Sequence, residues 1–434
     1  MRILLIISQY KPAQNPNIIR WESLVKYFIG NGHKVSILTT GRRPLPLIEE
    51  IDTIKVHRAG HNTLKDWMYD LFRIKHRRHE LGYKPNKASL LSRLLEYIID
   101  QTWRRYYWPD GSQLFLNPGI KKAKQIIEDE NIEQLISVGL PFTCHWIAYQ
   151  LKLKNSKLRW HMDIQDPFCF SKEFRVNNFA KYEKKNIKAE KNAFDLADSI
   201  SITNEKAKHI YTEYFPETAN KIIITPPLFT LPPPVDEAEP ALSPTIIHIG
   251  YFGSFYENIR SPENFLKFCK RLKKQSPELY ARLKFHFIGQ QNAYSSHFFE
   301  AFHQISKAFI FHGFVKRSQV FELMANMNFL INFGNSTNYH LPSKVVDYLY
   351  ANKPIINLTS IDDDSCKYFF VNHPDIISLN LSDNDAELIR DKFLTFIMKE
   401  RLPGPANILA VKKYATPSVG NLYLKTMLTV QETT

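Results

Sequence analysis

Short runs of uninterrupted apolar residues alternate with amphipathic segments along almost the whole chain. No other feature constrains the fold as strongly. RILLIIS leads to the helical IIRWESLVKYFIGNG, and HKVSILTT follows. After residue 108 come GIKKAKQIIEDE, IEQLISVG, TCHWIAYQLKLK, LRWHMDI, a helix within KYEKKNIKAEKNAFDLA, then SISIT, EKAKHIYTEYF and IIIT. A strand with one wet face alternates polar and apolar residues. Strands that are apolar throughout are covered on both faces, as in a parallel sheet between helices. A second series runs through IIHIGYFG, NFLKFCKRLKK, LKFHFIG, HFFEAFHQISK, FIFHGFV, QVFELMANM, FLINF and IINL. Between the two lies the proline-dense, aperiodic PPLFTLPPPVDEAEPALSP. At 434 residues the chain is about twice a usual domain. The predicted architecture is α/β: two doubly wound Rossmann-like domains facing a cleft, residues 1–228 and 245–412, with a linker at 229–244.

Ligands of such sheets bind beyond the carboxyl ends of the strands, so strand-end residues carry the functional information. The richest segment is LPSKVVDYLYANKPIINL, residues 341–358. Pro342 and Ser343 open a helix that the Ser343 hydroxyl is suited to cap. Val345, Val346, Leu349 and Tyr350 form its apolar face, Asn352 takes the left-handed turn that ends it, and IINL is a buried strand. Lys344 is misplaced for a helix start, where the dipole favours acids. The placement makes sense if lysine and exposed amides attract one phosphate. Asp347, a turn later on the same side, is suited to accept hydrogen bonds from sugar hydroxyls. The alternative is a solvated Lys344 paired with Asp347. Other candidates on the donor side are Gly253 and Arg260 in YFGSFYENIRSP, a cation fit for bidentate phosphate contact. Gly289 and Val315, at the next two strand ends, offer main-chain groups to a base edge.

The formal net charge is +14, with ten Lys/Arg against five Asp/Glu in residues 63–108. Trp67, Tyr69, Phe72, Trp103, Tyr106, Tyr107 and Trp108 are interleaved there. This basic, aromatic insertion fits the surface of an anionic inner membrane; the alternative is that its Leu, Ile and Trp residues are core and its arginines merely solvated. No recognised nucleic-acid motif accompanies it, so no nucleic-acid partner is expected. Cys144, Cys169, Cys269 and Cys366 show neither CxxC pairing nor metal-ligand spacing, which suits a reducing compartment. The opening MRILLIIS lacks a cleavage site and is far shorter than a membrane span. A cytoplasmic, peripherally membrane-associated protein is expected.

PSKVVDYLYANKPI is similar to the PSKxxEYLAxGKPI segment of nucleotide-sugar glycosyltransferases of the GT-B fold, in or near the retaining family four of bacterial surface-polysaccharide type. IGYFGSFYENIRSPENFLKF resembles that group's YxGSxYxxRSPExLL segment, HMDIQDPF its DxRDPW strand and loop, and ADSISITNEKAK its ADxxxxxSxxxx strand. WPDGSQLFLNPGIKKAKQII is similar to a PDxxxxW-type helix entry. The resemblance covers nearly the whole chain. It implies that the second domain binds the nucleotide diphosphate sugar as substrate, without cofactor or metal, and that the first binds a glycan or polyprenyl-linked glycan acceptor. Arg260 and Lys344 would hold the diphosphate, and Asp347 would replace the family's ribose-binding glutamate. Residues 413–434 would form a helix crossing back to the first domain.

Two departures from the family pattern matter. Its Glu-x7-Glu spacing places the first acid at Tyr339, and GNSTNYH contains no carboxylate. The first-strand loop reads SQYKPAQNPNIIR rather than Gly-Gly, which leaves Asn17 and Arg20 as acceptor-side candidates. Asp163, Asp166 and His145 are the catalytic candidates, each weighed against a turn, cap or packing role. DDDS at residues 362–365 reads as a solvated turn before a helix rather than a metal site. The leading expectation is transfer of a sugar to a glycan or lipid-linked glycan in surface-polysaccharide synthesis. The alternatives are a non-catalytic nucleotide-sugar or glycan-binding paralogue, and a nucleotide-sugar epimerase of the same fold.

Overall fold

The computed structural model describes residues 1–434 except 14, 43, 72–101, 232–244, 383–384, 402–406 and 433–434. Most of the basic, aromatic insertion and the proline-dense core of the linker therefore lie outside the described residues. The chain divides into two compact units, one of Met1–Pro226 with Thr416–Thr434, the other of Pro227–Ala415.

Unit 1 is built on an eight-stranded sheet with spatial order β3-β4-β2-β1-β5-β6-β7-β8. Its strands are β1 (Arg2–Ile6), β2 (Lys34–Gly41), β3 (Ile48–Ile51), β4 (Ile54–His61), β5 (Gln134–Gly139), β6 (Arg159–Ile164), β7 (Ser199–Ile202) and β8 (Ile222–Ile224). Its helices are α1 (Pro16–Gly30), α2 (Leu64–Leu71), α3 (Leu116–Glu130), α4 (Thr143–Lys154), α5 (Phe179–Leu196) and α6 (Glu205–Tyr214). The first helix starts two residues before the apolar periodicity does, because Pro16 presets the backbone angle of its first residue. There the Asn15 side chain accepts the Ile18 amide at 2.9 Å. Ile18, Trp21, Leu24, Val25 and Phe28 then face the core. Apart from β3 with β4 all pairings are parallel, with Leu4 in register with Ser36 on one side and Leu135 on the other.

The antiparallel β3–β4 edge has no counterpart in the sequence reading. Its turn residues Asp52 and Thr53 have φ of +51° and +67°, the geometry of a tight hairpin turn. Asn-Gly or Asp-Gly announces such a turn. A β-branched threonine in the left-handed region does not.

Unit 2 has a six-stranded, wholly parallel sheet in the order β11-β10-β9-β12-β13-β14. These are β9 (Ile247–Phe252), β10 (Leu283–Ile288), β11 (Phe309–Gly313), β12 (Phe329–Phe333), β13 (Ile355–Thr359) and β14 (Ile376–Asn380). The helices are α7 (Glu263–Gln275), α8 (Pro277–Arg282), α9 (Ala293–Ala301), α10 (Arg317–Asn326), α11 (Val345–Ala351), α12 (Ser365–Phe369), α13 (Ala386–Met398) and α14 (Ile408–Val411). One face is closed by interlocked aromatics, with Phe265, Phe285, Phe287 and Phe333 all buried. The other is closed by Met324, Val345, Val346 and Tyr348. Chain order reverses between β9 and β12, which opens a crevice at the carboxyl ends of those two strands. The chain then returns to unit 1 as α15 (Thr416–Glu432), whose Tyr423 is fully buried there. No helix among the described residues is long and apolar enough to cross a membrane.

Candidate functional site

The switch point of unit 2 gathers most of the donor-side candidates. Gly253 follows β9 directly, and its amide donates to the Ile288 carbonyl at 2.8 Å, while the Gly289 amide donates to Gly313 at 2.9 Å. The tips of β9, β10 and β11 thus step side by side. A Cβ on Gly289 would collide with the Gly253 carbonyl oxygen, so glycine is required for this approach.

Residues 256–260 fold back as a closed loop, with reciprocal main-chain bonds between Tyr256 and Arg260 of 3.0 and 2.9 Å. This returns the Arg260 guanidinium to the strand tip. It donates to the Tyr251 hydroxyl at 3.2 Å, the Ser254 carbonyl at 3.3 Å and the Asn335 side-chain oxygen at 2.6 Å, and its Nε has no partner. The Lys344 ammonium lies 3.9 Å from the centre of the same Tyr251 ring. A Cβ on Gly253 would sit 3.3 Å from Lys344 Nζ. That Nζ is buried and has no hydrogen-bond partner. Burial first, and the neighbouring Arg260 second, push its pKa well below the ordinary lysine value. A lysine and an arginine with unoccupied N–H donors therefore converge beside a glycine backbone, with no acid among their hydrogen-bond partners. Such a cluster is incomplete without an anion.

Helix α11 begins one residue later than the sequence implies. Lys344 is its cap residue, no side chain caps it, and Ser343 lies exposed ahead of it. The expected Ser343 cap is corrected accordingly: two turn residues, not one, separate Pro342 from the first helical residue. Asn352 ends the helix at φ +50°. Asp347 does not pair with Lys344. Both its oxygens are taken by Arg317, the first residue of α10, at 2.7 Å each. Val315 packs against the apolar cluster that includes Val345 and Leu349.

The loop after β12 is held by neutral groups. Asn335 Nδ2 donates to the His340 carbonyl at 3.1 Å and Ser365 Oγ donates to the same oxygen at 2.7 Å. Thr337 and the His340 ring share a bond of 2.6 Å. Burial, then Arg260, push His340 down to about 3, so it is neutral. The carboxylates of the DDDS turn are engaged locally. Asp364 caps α12 by accepting the Lys367 amide at 2.9 Å, and Asn338 and Asn380 donate to Asp363 and Asp362 at 2.8 Å each.

The unit 1 candidates separate into two kinds. Asp163 is fully buried and accepts from Ser201, Tyr423 and Gln165 at 2.5 Å each. Arg20 is buried too, donating to the Pro226 carbonyl at 2.8 Å and the Tyr423 hydroxyl at 3.0 Å. These residues tie α1, β6 and β7 to α15, a joint from which solvent is excluded. The expectation that Asp163 and Arg20 line a substrate surface is corrected on that ground. His145 is likewise internal. Its Nδ1 is 2.7 Å from Ser137 Oγ, its ring blocks any Cβ at Gly139, and burial pushes it down to about 3. A ring packed this way has a structural role. Asp166, just past the end of β6, is the carboxylic acid in this group whose pKa burial raises to about 6, a value suited to proton transfer near neutrality. Asn17 sits in the first turn of α1 with its buried Oδ1 unpartnered.

Arg317, Asn335, His340 and Tyr251 escaped the sequence reading. Only the tyrosine left a trace, in the YFGS string that ends β9.

No known family profile matches the chain, and no curated protein sequence does. Solved structures do. Sucrose-phosphate synthase from Thermosynechococcus elongatus superposes with a TM-score of 0.62 over 99% of this chain and 97% of that one, at 12% identity. The α,α-trehalose-phosphate synthase (UDP-forming) from Burkholderia xenovorans, in complex with glucose-6-phosphate, gives 0.61 over 99% and 100%, at 10% identity. WaaG, a glycosyltransferase involved in lipopolysaccharide biosynthesis, gives 0.56 over 92% and 90%, at 9% identity. The chain has the GT-B fold. At such identities the likeness carries the fold alone, and function has to be argued from the site of this GT-B chain.

Proposed function

We propose that this GT-B protein is a glycosyltransferase that moves a sugar from a nucleoside diphosphate sugar to a glycan or lipid-linked glycan. The observation that carries the reading is the unpartnered, buried Lys344 Nζ beside Arg260 and the Gly253 backbone, at the switch point of a doubly wound sheet. A pyrophosphate placed there receives donors from both side chains. Charge that develops on the departing nucleoside diphosphate is then stabilised by cations already in position, and transfer needs no metal or cofactor. The main chain at Gly289 and Val315 borders the base, Ser343 offers an exposed hydroxyl near the phosphates, and Asp347 receives the ribose. In unit 1, Asp166 takes the acceptor proton and Asn17 contributes to acceptor binding. Structural neighbours support this reading in their own chemistry, since one is described as UDP-forming and another as a glycosyltransferase of lipopolysaccharide biosynthesis.

The finer assignments are retaining stereochemistry, family-four membership, surface-polysaccharide synthesis, and attachment through residues 63–108 to the cytoplasmic face of the inner membrane. The charge of +14 and the described aromatics Trp103, Tyr106 and Trp108 support the attachment. Cosedimentation with phosphatidylglycerol vesicles that weakens with salt is the expected result. Recovery only in the supernatant at low salt overturns it.

The carboxylate-free loop at 334–343 favours one second reading, a module that binds nucleotide sugar without turnover. Incubating the protein with UDP-, GDP-, dTDP- and CMP-sugars separates the two. Slow release of the donor's nucleotide (UDP, GDP, dTDP or CMP) that Asp166→Asn diminishes supports the transferase, whereas tight binding with no release supports the module.

A further inference from the structure

One side chain, Tyr251, touches both basic groups of the unit 2 site. It is the next-to-last residue of β9 and is fully buried. Its ring is wedged among Phe255, Phe287 and Phe333, with centroids 4.9, 6.2 and 4.7 Å away. Lys344 Nζ sits 3.9 Å from the centre of that ring. At the rim, the hydroxyl donates to the Ser254 carbonyl at 3.0 Å and accepts from Arg260 Nη1 at 3.2 Å. Arg260 Nη1 also donates to that carbonyl, at 3.3 Å, which closes a triangle. On its other side Arg260 donates to Asn335, itself held by the His340 carbonyl. A Cβ on Gly253 would stand 3.1 Å from the Tyr251 hydroxyl and 3.3 Å from Lys344 Nζ. The two groups therefore approach the same bare stretch of backbone.

Two basic side chains crowded into one buried site push each other apart and toward their uncharged forms. A carboxylate between them would hold both, but it would also neutralise charge that an incoming anion needs. Here every hydrogen-bond partner of Arg260 is neutral, and Lys344 Nζ has none. The phenol does the holding without the charge. Its π face favours a protonated amine, and a lone pair on its oxygen accepts from the guanidinium. Burial raises the Tyr251 pKa, so the hydroxyl keeps its proton and adds no negative charge of its own. The three phenylalanines fix the plane of the ring, and the ring in turn fixes the spacing of Lys344 and Arg260. Phenylalanine at this position would pack as well but could not aim the guanidinium. Leucine could do neither job.

We propose that Tyr251 is the positioning residue of the donor site: its ring seats Lys344, its hydroxyl aims Arg260, and no acid neutralises either group before the pyrophosphate arrives. This inference rests on the nucleotide-sugar reading of the unit 2 site. Isothermal titration of the full-length protein and its variants with UDP, GDP, ADP and dTDP at low salt tests it, with ligand-observed NMR extending the range to millimolar affinities. Tyr251→Phe keeps the packed ring and removes only the hydroxyl. It is expected to weaken whichever nucleotide the wild-type protein binds by about three- to tenfold, the worth of one hydrogen bond. In an Arg260→Met protein the same substitution is expected to change affinity by less than about twofold, because no guanidinium remains to be aimed. In a Lys344→Met protein it should keep its full effect, since phenylalanine leaves the ring face in place. Tyr251→Leu removes that face as well and should weaken binding further, an extra loss that vanishes in the Lys344→Met background. A Tyr251→Phe protein that binds as tightly as wild type would overturn the assignment, and this variant decides even if the leucine variant fails to fold. A loss of equal size in the Arg260→Met background would also overturn it and leave Tyr251 as a core residue of β9. Failure of the wild-type protein to bind any of the four nucleotides would instead overturn the donor-site reading itself.

Discussion

Replacing Lys344 by methionine should stabilise the free protein while destroying its affinity for nucleotide. The side chain is surrounded by the Tyr251 ring, Tyr348, Arg260 and the Gly253 backbone, and its Nζ makes no hydrogen bond. Leaving a buried polar group unpaired costs about 1–3 kcal/mol. Contact with the Tyr251 face at 3.9 Å returns about 0.5–2 kcal/mol. Repulsion from Arg260 adds to the cost. Methionine fills the same volume without a polar end, so a net gain of roughly 1 kcal/mol follows, or about 2–4 °C for a domain of this size. Loss of a charge-assisted contact to pyrophosphate should weaken the nucleoside diphosphate by about 1.5–3 kcal/mol, or roughly 10- to 150-fold. Calorimetric unfolding and isothermal titration of the same two preparations measure both quantities. A variant that is less stable and binds as tightly as the original would refute the reasoning, because Lys344 would then be a structural residue with a partner.

Tyr423→Phe should cost unit 1 about 2–3 kcal/mol, because both Asp163 and Arg20 lose a bond to its hydroxyl. All six tryptophans lie between Trp21 and Trp160, so tryptophan fluorescence in urea reports this unit alone, and an unchanged midpoint would count against the buried joint. Burial pushes His161 and His286 down to about 4, one histidine in each unit. Their folded forms are neutral, whereas the unfolded chain takes up protons below about pH 6.5. The stability they contribute is present above pH 6.5 and is lost as pH falls to about 4, up to about 3 kcal/mol for each. Urea midpoints that stay level between pH 7 and pH 4.5 would contradict this. Gly289→Ala forces a methyl against the Gly253 carbonyl, a backbone atom that cannot swing away. It should destabilise unit 2 by about 1–3 kcal/mol and weaken nucleotide binding, as seen by thermal shift with and without ligand.

The architecture was legible because a buried parallel strand leaves an uninterrupted apolar run, and such runs marked both sheets from RILLIIS to IINL. The anomaly at Lys344 was legible for a related reason. A cation where a helix favours an acid violates a local rule, and local rules are broken where a ligand completes the site. What stayed hidden depends on residues brought together from distant segments. Arg317 is an ordinary surface arginine until α10 places it on Asp347. Asp163 resembled a strand-end acid, but α15 covers it with Tyr423 from 260 residues away. Ser343 was overvalued because hydroxyl residues often cap helices, whereas here the backbone turns once more before the helix begins.

The most direct measurement is a crystal structure of the protein soaked with the nucleoside diphosphate that gives the largest thermal shift. The pyrophosphate oxygens are expected within hydrogen-bond distance of Lys344 Nζ and Arg260, with the nucleoside running toward Gly289 and Val315. A nucleotide seated away from the β9–β12 crevice, with Lys344 Nζ still lacking a partner, would contradict the assignment of this site.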